Sequence, residues 1–91
     1  MIANAKTPQD DTNIKTKITE LSRETLYAQK YDEANKMYNQ GNFKEAIKLY
    51  TEVIEMNPNN AKAYNNRGIA YQRLGDNTRA QADFAKAESL K

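Results

Sequence analysis

The sequence predicts an all-α fold in which two similar helix–turn–helix units follow one extra N-terminal helix. Apolar residues recur at intervals of three and four along most of the chain, the spacing of one helix face, and no stretch shows the alternation of a strand. Gly41, Pro58 and Gly75 divide this pattern into short segments. Short connections between helices favour antiparallel neighbours.

Composition excludes several classes of function. The 91 residues allow one small domain. They include no Cys, the usual thiol nucleophile, and no His, the commonest zinc ligand. The net charge of +2 is spread without a basic cluster, and no apolar run is long enough to span a membrane. We therefore expect a protein that is not an enzyme, needs no metal or cofactor, and binds neither nucleic acid nor membrane. The lack of Cys fits a cytoplasmic location.

The N-terminal part of the chain divides into a lead and a helix. Residues 1–11 are polar and include Pro8, which predicts a disordered lead. Residues 12–24 carry Ile14, Ile18 and Leu21 at spacings of four and three, which predicts an amphipathic helix. We expect these three side chains to be buried, either against the rest of the chain as a capping helix or against a second copy of the protein.

A second apolar stripe follows directly. Its members are Tyr27, Tyr31, Ala34 and Tyr38. At about 100° per residue, this stripe lies nearly opposite the first one. Either residues 12–40 form one long helix whose two faces meet different partners, or the helix breaks near Ser22, a residue that can cap a helix. We favour the break, which would let the N-terminal helix fold back.

The next helix is bounded by turn residues. Gly41 and Asn42 end the preceding segment, and a helix is expected from about Phe43 until Pro58 stops it. Its predicted apolar face consists of Ala46, Ile47, Tyr50, Val53 and Ile54.

Two more helices complete the chain. Asn59 or Asn60 is expected to cap the first of them, and Gly75 to end it; Asp76 or Asn77 then caps the last helix. The apolar positions of the two helices are Ala63, Tyr64, Ile69, Ala70, Tyr71 and Leu74, and then Ala80, Phe84, Ala87 and Leu90.

The chain repeats itself at a fixed period. The pairs Gly41 and Gly75, Ala46 and Ala80, and Tyr50 and Phe84 are each 34 residues apart. A helix–turn–helix unit with this period resembles the tetratricopeptide repeat family, whose pattern is W-x₂-L-G-x₂-Y, then A-x₃-F, then P. The pattern falls on Tyr64, Arg67, Gly68, Tyr71, Ala80 and Phe84 in the second copy, and on Ala34, Met37, Ala46, Tyr50 and Pro58 in the first.

The resemblance implies an α–α superhelix with one repeat over residues 27–60 and a second over 61–91. Gly68 and Ala80 occupy the small-residue positions of the family, so we expect close helix contacts there. The first copy departs from the pattern, because Lys30 and Glu33 stand where large apolar residues are typical.

The same resemblance implies a binding function without catalysis. In this family the first helices of the repeats line a concave groove that holds a peptide segment of another protein. The corresponding residues here are Tyr31, Asn35, Tyr38, Asn39, Lys62, Asn65, Asn66, Ile69 and Arg73. An adaptor, co-chaperone or assembly factor is the expected role. The alternative is a structural subunit that dimerises through its N-terminal helix.

One subclass of the family grips the C-terminal carboxylate of heat-shock chaperones with Lys and Asn from two repeats and Lys and Arg from a third. Asn35 and Asn66 match its two Asn positions. Tyr31 stands at its first Lys position, and the sequence has no third repeat, so two of the five positions match.

The outer faces of the two repeats differ. Ile47 and Ile54 of the first copy correspond to Gln81 and Glu88 in the second. A polar outer face is typical of a terminal repeat. We therefore expect the array to end at Lys91.

Overall fold

The computed structural model describes the backbone of residues 8–91 and the side chains from Ser22 onward. This part of the chain forms four helices and no strand: α1 Pro8–Asn39, α2 Phe43–Met56, α3 Ala61–Arg73 and α4 Asn77–Ser89. The predicted all-α fold is confirmed. None of these helices is both long and apolar enough to cross a membrane.

Helix α1 is continuous over 32 residues, so the predicted break near Ser22 is wrong. Residues 12–40 contain neither Gly nor Pro, and Ser22 alone does not interrupt the helix. The helix also begins at Pro8 rather than Thr12, because proline is well tolerated in the first turn. The predicted lead is thus helical from Pro8, and its residues 1–7 lie outside the described part.

The candidate self-association residues fall on the N-terminal part of α1. The backbone at Ile14, Ile18 and Leu21 is helical, while their side chains lie outside the described residues. Their predicted burial therefore stays a prediction.

Two glycines close the helices at equivalent places in the two repeats. Gly41 has φ +80° and Gly75 has φ +87°, a backbone conformation that glycine adopts without a Cβ clash. The Gly41 N–H donates to the carbonyl of Tyr38, and the Gly75 N–H donates to that of Gln72, both at 3.0 Å. These turns reverse the chain after α1 and after α3.

Side chains cap α3 and α4 at their N-termini. Asn60 Oδ1 accepts a hydrogen bond from the Ala63 N–H at 3.0 Å, and Asp76 Oδ1 accepts one from the Arg79 N–H at 3.2 Å. Of the alternatives that the sequence left open, the structure selects Asn60 and Asp76.

The main core lies between α1, α2 and α3. Its buried members are Ala34, Ala46, Leu49, Tyr50, Val53, Ile54 and Ala63. Tyr50 and Val53 are the largest fully buried side chains among the described residues. Leu49 was not predicted for this core, whereas the predicted Ile47 is only half-buried. Helix α2 packs against both α1 and α3, so its buried arc is wider than a single stripe.

Helices α3 and α4 approach closely at Gly68. A Cβ placed on Gly68 would lie 2.7 Å from Phe84 Cε1 and 3.2 Å from the carbonyl oxygen of Ala80. Ala80 is fully buried. The predicted close contacts at Gly68 and Ala80 are therefore confirmed.

Candidate peptide-binding surface

The predicted groove residues lie on α1 and α3, and we call them the α1–α3 face. Its half-buried members are Tyr31, Asn35, Tyr38, Asn66 and Ile69, and its exposed members are Asn39, Lys62, Asn65 and Arg73. None of these residues is acidic, and two of them carry a positive charge.

A buried hydroxyl from α2 joins the two predicted asparagines. The Tyr50 hydroxyl donates a hydrogen bond to Asn35 Oδ1 at 2.5 Å, and Asn66 Nδ2 donates one to the Tyr50 hydroxyl at 3.3 Å. The structure therefore brings Asn35 and Asn66 together across α1 and α3. The sequence pattern places Tyr50 in the core but does not predict this contact. The available signal was a tyrosine where the second repeat has Phe84, because a buried phenol usually finds a partner.

Burial raises the pKa of Tyr50 to about 12. The hydrogen bond from Asn66 opposes this rise, and the neighbouring Tyr31 and Tyr38 add to it. Tyr50 is therefore a neutral phenol at physiological pH. A neutral phenol carries one O–H donor, so it can donate to Asn35 while it accepts from Asn66.

Tyrosine rings hold this hydroxyl in place. The Tyr31 and Tyr38 rings each lie 6.4 Å from the Tyr50 ring, at interplanar angles of 66° and 72°, which is edge-to-face packing. Tyr31 and Tyr38 thus contact the core on one side and are half-exposed on the other. Outside the predicted set, Asn60 Nδ2 donates to the Tyr27 hydroxyl at 2.6 Å, which ties α1 to the start of α3.

The remaining α3 residues lie on either side of this centre. Lys62 and Asn65, together with Asn66, line a pocket of about 250 Å³ that Ala87 and Lys91 of the C-terminal region complete. The guanidinium of Arg73 lies 5.9 Å from the Phe43 ring. Arg73 follows Asn66 by two helical turns, about 10 Å along the axis. No hydrogen bond among the described residues links Arg73 to either asparagine, and its place in the peptide groove stays a prediction.

Arg67 forms a polar cluster that the sequence pattern does not predict. Its guanidinium donates to both carboxylate oxygens of Asp83, at 2.8 and 2.7 Å, and to Thr51 Oγ1 at 3.1 Å. It also lies 5.6 Å from the ring centroid of Tyr64. Hydrogen bonding to Asp83 raises the pKa of Arg67. These internal contacts make Arg67 a structural residue. The sequence did contain one sign of this cluster, because Arg67 stands at the Leu position of the repeat pattern.

The carboxylates of the described residues are not grouped for metal binding. Across the described residues, no three Asp or Glu side chains lie close enough together to hold an ion. The buried carboxylate of Asp83 is engaged by Arg67.

Comparison with protein families agrees with this architecture. A TPR repeat model matches residues 34–75, and a tetratricopeptide repeat model matches residues 61–91. The chain belongs to the tetratricopeptide repeat family. The matches together include α2, α3 and α4 and the part of α1 that carries Asn35.

Several longer proteins contain a similar segment. The Hsp70-Hsp90 organizing protein 1 of Glycine max is 37% identical over 90 residues, covering 88% of this chain and 16% of that protein. The serine/threonine-protein phosphatase 5 of Homo sapiens is 44% identical over 55 residues, covering 53% of this chain and 11% of the phosphatase. Sperm-associated antigen 1 of Rattus norvegicus is 29% identical over 83 residues, covering 91% of this chain and 9% of that protein. The chain therefore spans a sixth or less of these relatives.

Proposed function

We propose that this chain is a non-catalytic module whose α1–α3 face binds a peptide segment of another protein. The observation that carries the proposal is the hydrogen-bonded chain from Asn35 through Tyr50 to Asn66, which fixes two amide side chains at one place on this face. An amide group can both donate to and accept from a peptide backbone. The half-buried rings of Tyr31 and Tyr38 beside it offer rigid contact area.

The charge of the face favours a partner segment that is neutral or acidic. Lys62 and Arg73 contribute positive charge, and the other members are amides, tyrosines and Ile69. We further propose a co-chaperone role in the cytoplasm, with the C-terminal segment of an Hsp70 or Hsp90 chaperone as the first partner to test. The similarity to Hsp70-Hsp90 organizing proteins supports this choice.

The test is direct binding of synthetic peptides. Fluorescein-labelled peptides that copy the C-terminal segments of Hsp70 and Hsp90 chaperones are titrated with the parent chain and with Asn66→Ala. We expect Asn66→Ala to weaken binding about tenfold, the loss of about one hydrogen bond, while helix content is unchanged. Gln72→Ala, an exposed position on the same helix, is the matched control. Equal affinity of Asn66→Ala and the parent would remove Asn66 from the site. A version of each peptide with an amidated C-terminus shows whether its carboxylate is recognised.

A second function, self-association through the N-terminal part of α1, is favoured by the length of that helix. At 1.5 Å per residue, the 32 residues of α1 measure about 48 Å and the 14 residues of α2 about 21 Å. Because the two helices are joined by a short turn at Gly41, more than half of α1 extends beyond the end of α2. Ile14, Ile18 and Leu21 lie on this extension, where a second copy could cover them.

A further inference from the structure

The hydroxyl of Tyr50 touches both asparagines of the proposed peptide site. From this contact we infer that Tyr50 is a positioning residue, which fixes the orientation of the Asn35 and Asn66 amides so that together they match one peptide group of the ligand. The inference rests on the proposed function and adds to it the ligand group that the two amides recognise.

The direction of the two hydrogen bonds determines what the amides present. Asn35 uses its Oδ1 to accept from Tyr50, so both N–H groups of its Nδ2 are left to donate. Asn66 uses one N–H of its Nδ2, so its Oδ1 is left to accept. Within the described residues, neither amide makes another side-chain hydrogen bond. A donor and an acceptor side by side are complementary to the C=O and N–H of a peptide backbone.

The position of Tyr50 makes this arrangement rigid. The residue is fully buried, and the rings of Tyr31 and Tyr38 pack against it. Without the hydroxyl, each asparagine amide can rotate by 180° and exchange its donor for its acceptor. The ligand would then have to order both amides on binding, which weakens its affinity. Phe84 occupies the equivalent position of the second repeat, so Tyr50→Phe removes the hydroxyl while keeping a ring that this fold accommodates.

The binding test compares Tyr50→Phe in two backgrounds, with the labelled Hsp90 C-terminal peptide as the probe. In the parent background we expect binding to weaken about tenfold, the order of magnitude for ordering two side chains. In the Asn35→Ala, Asn66→Ala background we expect no further loss. A loss of the same size in both backgrounds would show that Tyr50 acts only through the fold, and would overturn the inference. Tyr64→Phe, which removes a hydroxyl from a half-buried tyrosine of the same core, is the control.

A measurement without ligand separates this inference from the proposed function. In ¹H–¹⁵N spectra of the isotope-labelled chain, the side-chain amide signals of Asn35 and Asn66 should both shift in Tyr50→Phe and stay in place in Tyr64→Phe. Unchanged signals in Tyr50→Phe would contradict the inference even if the peptide binds. If the peptides do not bind the parent chain, the proposed function fails, and the amide signals alone decide whether Tyr50 orients the asparagines.

Discussion

Arg67 and Asp83 form a bidentate, largely buried ion pair that joins α3 to α4. Its two hydrogen bonds measure 2.8 and 2.7 Å, and the side chains of Arg67 and Asp83 are only 17% and 7% exposed. The first repeat has an exposed Glu33 and a buried Leu49 at the equivalent positions. The second repeat therefore has an ion pair between its helices at positions where the first repeat has none.

Removal of one partner of this pair is expected to destabilise the chain strongly. Asp83→Leu leaves the Arg67 guanidinium largely buried without its counter-ion, and we expect the free energy of unfolding to fall by about 3 kcal/mol. Adding Arg67→Leu restores the apolar residue of the repeat pattern and should recover most of that loss. Urea unfolding followed by circular dichroism measures both changes.

The matched control is the exposed pair of Glu88, in the last turn of α4, and Lys91, just beyond that helix. Both side chains are about 70% exposed, so Glu88→Gln should change stability by less than about 0.5 kcal/mol. An Asp83→Leu variant as stable as Glu88→Gln would contradict a structural role for the ion pair.

The contact at Gly68 predicts that even one added methyl group destabilises the fold. A Cβ at this position lies 2.7 Å from the Phe84 ring, closer than packed atoms tolerate. Gly68→Leu should therefore cost roughly 1–3 kcal/mol through overpacking, although leucine favours helix more than glycine does. Thermal melting monitored by circular dichroism gives the comparison.

The control for Gly68 uses the neighbouring ring. Phe84→Leu opens space beside Gly68, so Gly68→Ala should be less costly in that background than in the parent chain. Equal costs in both backgrounds, or a Gly68→Leu variant that melts like the parent, would show that Phe84 does not limit this position.

The raised pKa of Tyr50 predicts a specific loss of stability at high pH. The unfolded chain releases this proton near pH 10, whereas the folded chain holds it until about pH 12. The contribution of Tyr50 to the free energy of unfolding is fully present below pH 10. It falls as the pH rises towards 12, because the unfolded state then binds fewer protons than the folded state. The maximum contribution is about 2–3 kcal/mol, from two pK units at 1.36 kcal/mol each.

Comparison with Tyr50→Phe isolates this effect from all other groups, which the parent and the variant share. The difference in unfolding free energy between parent and variant should be constant from pH 7 to 9. Between pH 10 and 12 the parent should lose stability relative to Tyr50→Phe. A difference that does not change with pH would mean that Tyr50 titrates equally in the folded and unfolded chains.

Local signals in the sequence predicted the turns and caps well, and contacts between helices less well. Gly41, Pro58 and Gly75 act within a few residues, so the C-terminal ends of α1, α2 and α3 lie close to their predicted places. The predicted break at Ser22 was wrong because this segment has no Gly or Pro, and a residue that can cap a helix is also compatible with its interior. The pairing of Arg67 with Asp83 depends on where two helices meet. The spacing of residues along one helix does not contain that information.

In the candidate site, too, the positions along each helix were predicted and the contact between helices was not. The family pattern and helix spacing placed Asn35 and Asn66 on one face, and the structure joins them through a third residue. Tyr50 was predicted for its ring, which periodicity identifies as buried. Its hydroxyl has a role only because α1 and α3 both pack against α2, a relationship that becomes visible once the helices are assembled.

The unbroken α1 predicts that residues on its N-terminal extension control the oligomeric state. In the sequence pattern, Ile18 is the central member of the apolar stripe. We expect Ile18→Asp to convert a dimer into a monomer, because a charge in an apolar helix contact is costly to bury. The repeats should stay folded, since the described core lies between α1 residues after Ser22 and helices α2 and α3. Sedimentation equilibrium measures the mass, and circular dichroism checks the fold. Thr16→Asp, about 200° around the helix from Ile18, is the control and should leave the mass unchanged. A parent chain that sediments as a monomer, or an Ile18→Asp variant that keeps the parent's mass and stability, would show that this stripe forms no contact between copies.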